Sequence, residues 1–337
     1  MSLEMIRYGF LLENIQKVLL YYPNILYNTR VEKKGRTYVY LKALRVNQWI
    51  KNFIVFTAII FSGTLFELPL FLQTLSAFFI FCLLSSTSYL LNDIIDYPYD
   101  IKHPVKKNRP IASGKISIQH ATFLVFFLTV ISLLTSLFVS LPFFFLSLLF
   151  ILLHFFYSLY LKKFPTVDIF SISFSFMIRA YAGEVVTGFH IPIWLTLTIF
   201  FISLFMATIK RHAELVNHGR ETRESLYRYK EHYLDFLTNT FATATIIAYA
   251  TYTYVERIPQ VKTVLSSFTE TLIPALEVRK WMMVTVPLVV YGVARYAQLL
   301  YERDEGERPE KIITQDKPLV ITIILWVTTI VLLIYVL

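Results

Sequence analysis

Charge is scarce in this chain. Asp, Glu, Lys and Arg make up 16% of its 337 residues, against about a quarter in a water-soluble domain. That deficit excludes an ordinary soluble globular protein. Glycine is scarce as well, with nine residues against 30 Phe and 22 Tyr, the reverse of a disordered or linker-rich composition. The single cysteine, Cys82, sits in the apolar run LSAFFIFCLLSS, so there is no disulfide framework and no Cys-based zinc site. The sequence holds no GxxxxGK[ST], no GxGxxG and no His/Cys cluster. P-loop hydrolysis and zinc chemistry therefore lack a foothold. No internal repeat of the solenoid kind is visible.

What the chain has instead is apolar length, with 56% hydrophobic residues. A bilayer core about 30 Å thick takes ~20 mostly apolar residues per helix. Nine such runs are placed near 49–66, 70–91, 121–140, 142–161, 167–188, 192–209, 234–256, 281–301 and 318–336. The expectation is an all-α, polytopic membrane protein, a bundle of nine spans, with no separate soluble domain. The first apolar run follows some fifty mixed residues, unlike a cleavable signal peptide.

The formal charge of +9 would fit a nucleic-acid partner only if the basic residues formed one face. They fall in short clusters between apolar runs, and a membrane surface accounts for them better. Nine Lys and Arg lie up to Lys51, five over 92–120, two at 162–163, six over 210–233 and four over 302–317. The alternate loops carry four over 257–280 and none elsewhere. Positive loops are retained in the cytoplasm, so the N-terminus is expected inside and the C-terminus outside. Residues 1–40 are read as an extension: RYGFLLENIQKVLLYYPNILYN has apolar residues at helical spacing broken by Pro23, then the basic RVEKKGR. This suits an amphipathic surface helix and a linker; a partly ordered extension fits equally. The membrane-embedded part is residues 41–337.

The stretch richest in chemistry is NDIIDYPYDIKHPVKKNRPIASG, starting at Asn92. Asn92, Asp93, Asp96 and Asp100 are spaced by threes and fours, which gathers them on neighbouring helical stripes. Crowded carboxylates repel one another unless a cation intervenes. Carboxylate and amide oxygens without His or Cys suit Mg²⁺, with Mn²⁺ as the alternative, and Mg²⁺ keeps positions open for phosphate oxygens. A merely solvated acidic loop is the bland reading. Pro98 disfavours a continuous helix, so the helix is expected to end near Asp96, with Asp100 arriving from a turn. Lys102, His103, Lys106, Lys107 and Arg109 follow, the cations that a phosphate substrate needs, or equally an ordinary positive-inside loop.

Two further segments fall at the same membrane face. In YSLYLKKFPTVDIF, Tyr157, Lys162 and Lys163 precede Asp168, an acid just inside an apolar run and therefore a functional candidate. Arg179 and Glu184 lie on the same span, each open to a structural ion pair. In ATIKRHAEL, Lys210, Arg211 and Glu214 end the sixth span. Arg45, Gln48, Trp49, Lys51 and Asn52 lead into the first; Trp49 is an interfacial anchor.

RVNQWIKN, NDIIDYPYDIKHPVKKNRPIASG, YSLYLKK with VDIF and MIRAYAGEV, and KRHAEL, in this order across nine spans, resemble the UbiA superfamily of intramembrane prenyltransferases, and within it the decaprenyl-phosphate phosphoribosyltransferase branch. The resemblance covers about residues 40–337. It implies a helical bundle with a cavity open to the cytoplasm and to lipid. The implied reaction transfers 5-phosphoribose from phosphoribosyl diphosphate to a polyprenyl phosphate, with release of diphosphate, for a cell-envelope pentose donor. Mg²⁺ would sit on Asn92, Asp96 and Asp100. Asp93 and Asp96 would act in catalysis, with Asp168 matching the first acid of the second motif. Lys51, Asn52, Lys106, Arg109, Tyr157, Lys162, Arg179, Lys210, Arg211 and Glu214 would bind substrate. The prenyl-diphosphate branch has D-x-x-x-D in the second motif, whereas position 172 here is Ile; this agrees with a lipid bringing one phosphate. A prenyltransferase acting on an aromatic acceptor is the alternative within the family. A transporter would need charges near the midplane and paired broken helices. A homo-oligomer is compatible with the sequence.

Overall fold

The computed structural model describes residues 33–103, 105–218, 229–256, 278–303 and 314–335. Every regular element among them is helical, as a chain surrounded by lipid requires unless its strands close into a barrel. The first is α1 (Lys33–Ala43). Most of the extension expected over 1–40 lies outside the described residues.

Among the described residues seven helices are long and apolar enough to cross a membrane. They are α3 (Leu68–Ile95), α5 (Ile118–Val139), α6 (Leu141–Leu159), α7 (Val167–Thr187), α8 (Ile193–His218), α10 (Val286–Arg303, entered through the 3₁₀ segment Val278–Thr285) and α11 (Lys317–Tyr335). Two of the nine expected spans differ. The run placed at 49–66 is a 3₁₀ helix, Val46–Phe56, continued by the single-turn α2 (Thr57–Phe61). The run placed at 234–256 is α9 (Glu231–Val255), long enough but diluted by six Thr and four Tyr. Composition explains the second difference and packing the first: Val46–Phe56 is wedged between α3 and α7. A Cβ at Gly183 would run into the Val55 carbonyl, so only glycine admits this close approach.

Local chemistry sets the breaks. Ser140 has an extended backbone and accepts from Phe143 N at 3.2 Å, so α5 and α6 meet at one residue, with Pro142 in the first turn, where its missing N–H costs nothing. Gly188, at φ 73°, closes α7. After Asp96 the chain restarts as the four-residue α4 (Tyr97–Asp100), Pro98 in its first turn, as the proline led one to expect.

The outer faces of α5 and α6 carry exposed Phe126, Phe138, Phe145 and Phe156, a lipid-facing surface. One inner cluster joins Ile169, Leu204, Phe205, Leu234, Tyr296 and Leu319, and another Val55, Phe81, Phe143, Phe150 and Ile178. At the far end the bundle is fastened by Tyr335. Its hydroxyl lies against the carbonyls of Ile59 (3.1 Å) and Ile60 (2.8 Å) and accepts from Leu65 N at 3.0 Å.

Candidate active site

Helices α3, α6, α7 and α8 and the 3₁₀ segment surround a cavity of about 440 Å³. The end of α3 supplies Asn92 and Asp96, α4 supplies Asp100, and the loop behind it Lys106 and Arg109. Tyr157 and Lys162 come from the α6 end, Lys210 and Glu214 from α8, and Lys51 from the 3₁₀ segment. The three segments expected at one face do converge.

Cations and acids are paired within the mouth. Lys162 Nζ donates to Asp96 Oδ1 at 2.5 Å and to Asn92 Oδ1 at 3.2 Å, and Asn92 Nδ2 donates to the other Asp96 oxygen at 2.9 Å. Arg109 holds Asp100 at 2.6 Å and Asp93 at 3.1 Å. Asp93, 3% exposed, also receives Arg45 at 2.5 Å. Arg45 reaches it from a left-handed backbone, φ 50°, unusual for a residue with a Cβ, and packs over the Tyr89 ring. Burial pushes the Asp100 carboxyl above its ordinary range, with Arg109 pulling it back. Burial opposes the charge of Arg109, but Asp93, Asp100 and Asp96 outweigh that and keep the guanidinium firmly protonated.

The oxygen set suits a hard cation. The Lys162 ammonium already sits on one amide and one carboxylate oxygen facing the cavity. Among the described residues no three His, Cys, Asp or Glu side chains gather as ligands. Asn92, Asp96 and Asp100 alone would leave coordination positions to water or phosphate oxygens, the habit of Mg²⁺.

Four of the expected site residues stand behind the cavity wall rather than on it. Asp93 is turned into the Arg45–Arg109 pair. Asp168, fully buried, lies 2.8 Å from Arg211 Nε and accepts from the Tyr229 hydroxyl at 2.7 Å. Arg211, also fully buried, pairs in addition with Glu214 and donates to Tyr157 at 3.0 Å. It therefore holds two residues that do line the cavity. Asn52 is buried and accepts from Arg179 Nε at 2.7 Å. Ile172, four residues after Asp168, lines the cavity as an apolar wall.

Tyr229 is a residue that sequence reasoning missed. Its hydroxyl joins Asp168 to the amide of Thr166, 2.5 Å away, a residue whose φ of 69° is strained. Burial, then the Asp168 charge, raises its pKa well above the ordinary tyrosine value. Arg45 as the partner of Asp93, and His154 on the cavity wall, were missed as well. Only the tyrosine-rich stretch before α9 could have hinted at the first.

The model of the UbiA prenyltransferase family matches residues 52–220. The chain is 32% identical over 304 residues to the decaprenyl-phosphate phosphoribosyltransferase of Corynebacterium glutamicum, covering 88% of this chain and 86% of that one. It is 33% identical to the enzyme of the same name from Mycolicibacterium smegmatis, covering 86% and 90%. In fold it is similar to a UbiA homologue from Archaeoglobus fulgidus solved with GPP and Mg²⁺, at TM-score 0.63 and 19% identity over 88% of this chain and 99% of that one. The apolar helices, the cavity lined by the oxygens of Asn92, Asp96 and Asp100, and these likenesses make the chain an integral, multi-pass member of the UbiA prenyltransferase family.

Proposed function

We propose that the protein transfers 5-phosphoribose from phosphoribosyl diphosphate to a polyprenyl phosphate and releases diphosphate. The observation that carries this is the cavity mouth, where Asn92, Asp96 and Asp100 face Lys162 and Arg109 at the end of apolar helices. A diphosphate and a lipid can meet there. Two relatives named for this transfer, at 32% and 33% identity over most of both chains, support it.

In this reading an oxygen of the lipid phosphate bonds to the anomeric carbon as the bond to diphosphate breaks, and the electron pair leaves with the diphosphate. A phosphate monoester is already anionic, so no general base is needed. Lys162 and Arg109 hold the leaving oxygens, with Lys106 and Lys51 beside them, in a site whose charges are set before reaction. Bound at Asn92, Asp96 and Asp100, Mg²⁺ or Mn²⁺ would neutralise diphosphate charge. Lys210 and Tyr157 face the same space. Asp93 and Asp168 act through the arginines they hold and are positioning residues.

The bundle is read as nine crossings, with Val46–Phe61 and α9 completing the seven. The N-terminus is cytoplasmic, the C-terminus external, and the cavity mouth faces the cytoplasm. The apolar Ile172 on the wall disfavours the prenyl-diphosphate alternative. A radiolabel transfer assay on purified protein, with phosphoribosyl diphosphate and a polyprenyl phosphate, tests the reading. Label should enter the lipid phase only with Mg²⁺. No transfer there, but prenyl transfer to an aromatic acceptor, would replace it with the alternative.

A further inference from the structure

At the cavity mouth three cations, Arg45, Arg109 and Lys162, meet three acids, Asp93, Asp96 and Asp100. The deep end is different. Arg179 lines the cavity there, is 3% exposed, and forms no ion pair with any described carboxylate. Its Nε donates to Asn52 Oδ1 at 2.7 Å, Nη1 to the Ser175 carbonyl at 2.9 Å and hydroxyl at 3.1 Å, and Nη2 to Ser85 Oγ at 3.3 Å. Phe150 and Phe176 cover it at 4.7 and 5.2 Å from their centroids. Of the five N–H donors of a guanidinium, these neutral partners take four, and none cancels its charge. Beside it, His154 also faces the cavity, and its Nε2 is buried with no hydrogen-bond partner among the described residues. A cation at membrane depth without a counter-charge is costly, and an orphaned ring nitrogen next to it adds to the cost. Both are met by one anion entering the cavity.

We propose that the Arg179 end is a second anion subsite, which takes a phosphate monoester, with His154 as a further donor. It rests on the reading of the reaction given above, in which the diphosphate occupies the mouth. Along α3, Ser85 lies about 16 Å from Asp96 at 1.5 Å per residue, so the deep anion is a different phosphate from those at the mouth. Two monoesters share this chemistry, the phosphate of the lipid and the 5-phosphate of the ribose.

Asn52→Asp tests it, by giving Arg179 an internal carboxylate that competes with the substrate phosphate. The full-length protein in detergent is melted without Mg²⁺, in one arm with a polyprenyl phosphate against the matching polyprenol, in the other with ribose 5-phosphate against ribose. In the wild type the phosphate should stabilise more than the alcohol in one arm, which names the source. Asn52→Asp should keep its fold and lose that difference. In the transfer assay the KM for that substrate should rise about tenfold or more, the scale of a lost charged hydrogen bond, with Arg179→Lys in between. Equal stabilisation by phosphate and alcohol in both arms of the wild type overturns the proposal. So does Asn52→Asp binding as the wild type does, or unfolding, since a guanidinium short of counter-charge gains from a carboxylate. If the wild type transfers no label, the reaction assigned above fails, and the Mg²⁺-free melts still decide the subsite.

Discussion

Among the described residues two guanidiniums are buried inside the bundle, and they are held in opposite ways. Arg211 sits between Asp168 and Glu214, with more negative charge around it than its own. Arg179 sits among an amide, two hydroxyls, a carbonyl and two aromatic rings, with no acid. A buried charge with its partners present is a fixed part of the scaffold, and removing one partner is expensive. A buried charge with only dipoles around it keeps most of its field for something that arrives. The first arrangement builds the wall of the cavity and the second equips its floor.

The largest effect should come from breaking the paired site. Asp168→Ala takes from Arg211 one of its two carboxylates and from Tyr229 its acceptor, for a loss of about 3 kcal/mol, read as a fall in the thermal midpoint in detergent. If Arg179→Gln costs as much stability, the contrast between the two arginines disappears. Next, Asp96→Asn should lower transfer by about 10²-fold or more, the scale of losing one preorganised electrostatic group. Its thermal midpoint should hardly move, because Asp96 is a quarter exposed; a collapse of the fold would make it part of the scaffold instead. Arg179→Lys keeps the charge but loses the fork, so KM for one substrate should rise with little change in stability. Smallest is Tyr229→Phe, which removes one hydrogen bond to Asp168 and should cost about 1 kcal/mol. A midpoint unchanged from wild type would show that Asp168 does not need Tyr229.

The acids of the mouth were legible because their spacing follows the helix, and the break after Asp96 because Pro98 announces it. The direction of Asp93 was not. It depends on the left-handed turn at Arg45, which no pattern in RVNQWIKN encodes. Asp168 was marked by its apolar surroundings, yet its partners were out of reach: Tyr229 is 61 residues away, and only packing of α7 and α8 with the start of α9 joins them. The first span was read as an ordinary helix from hydropathy, which measures lipid preference and is blind to a neighbour's glycine. Arg179 was open to an ion pair on paper; the structure offers it neutral dipoles.

The Tyr335 hydroxyl has a bearing on how the molecule is made. Its partners Ile59 and Ile60 lie 276 and 275 residues earlier in the chain. Synthesis runs from the N-terminus, so the segment that carries Lys51 waits for its last fastening until the final described helix has left the ribosome. Earlier than that, the nascent bundle is a ring with its clasp undone.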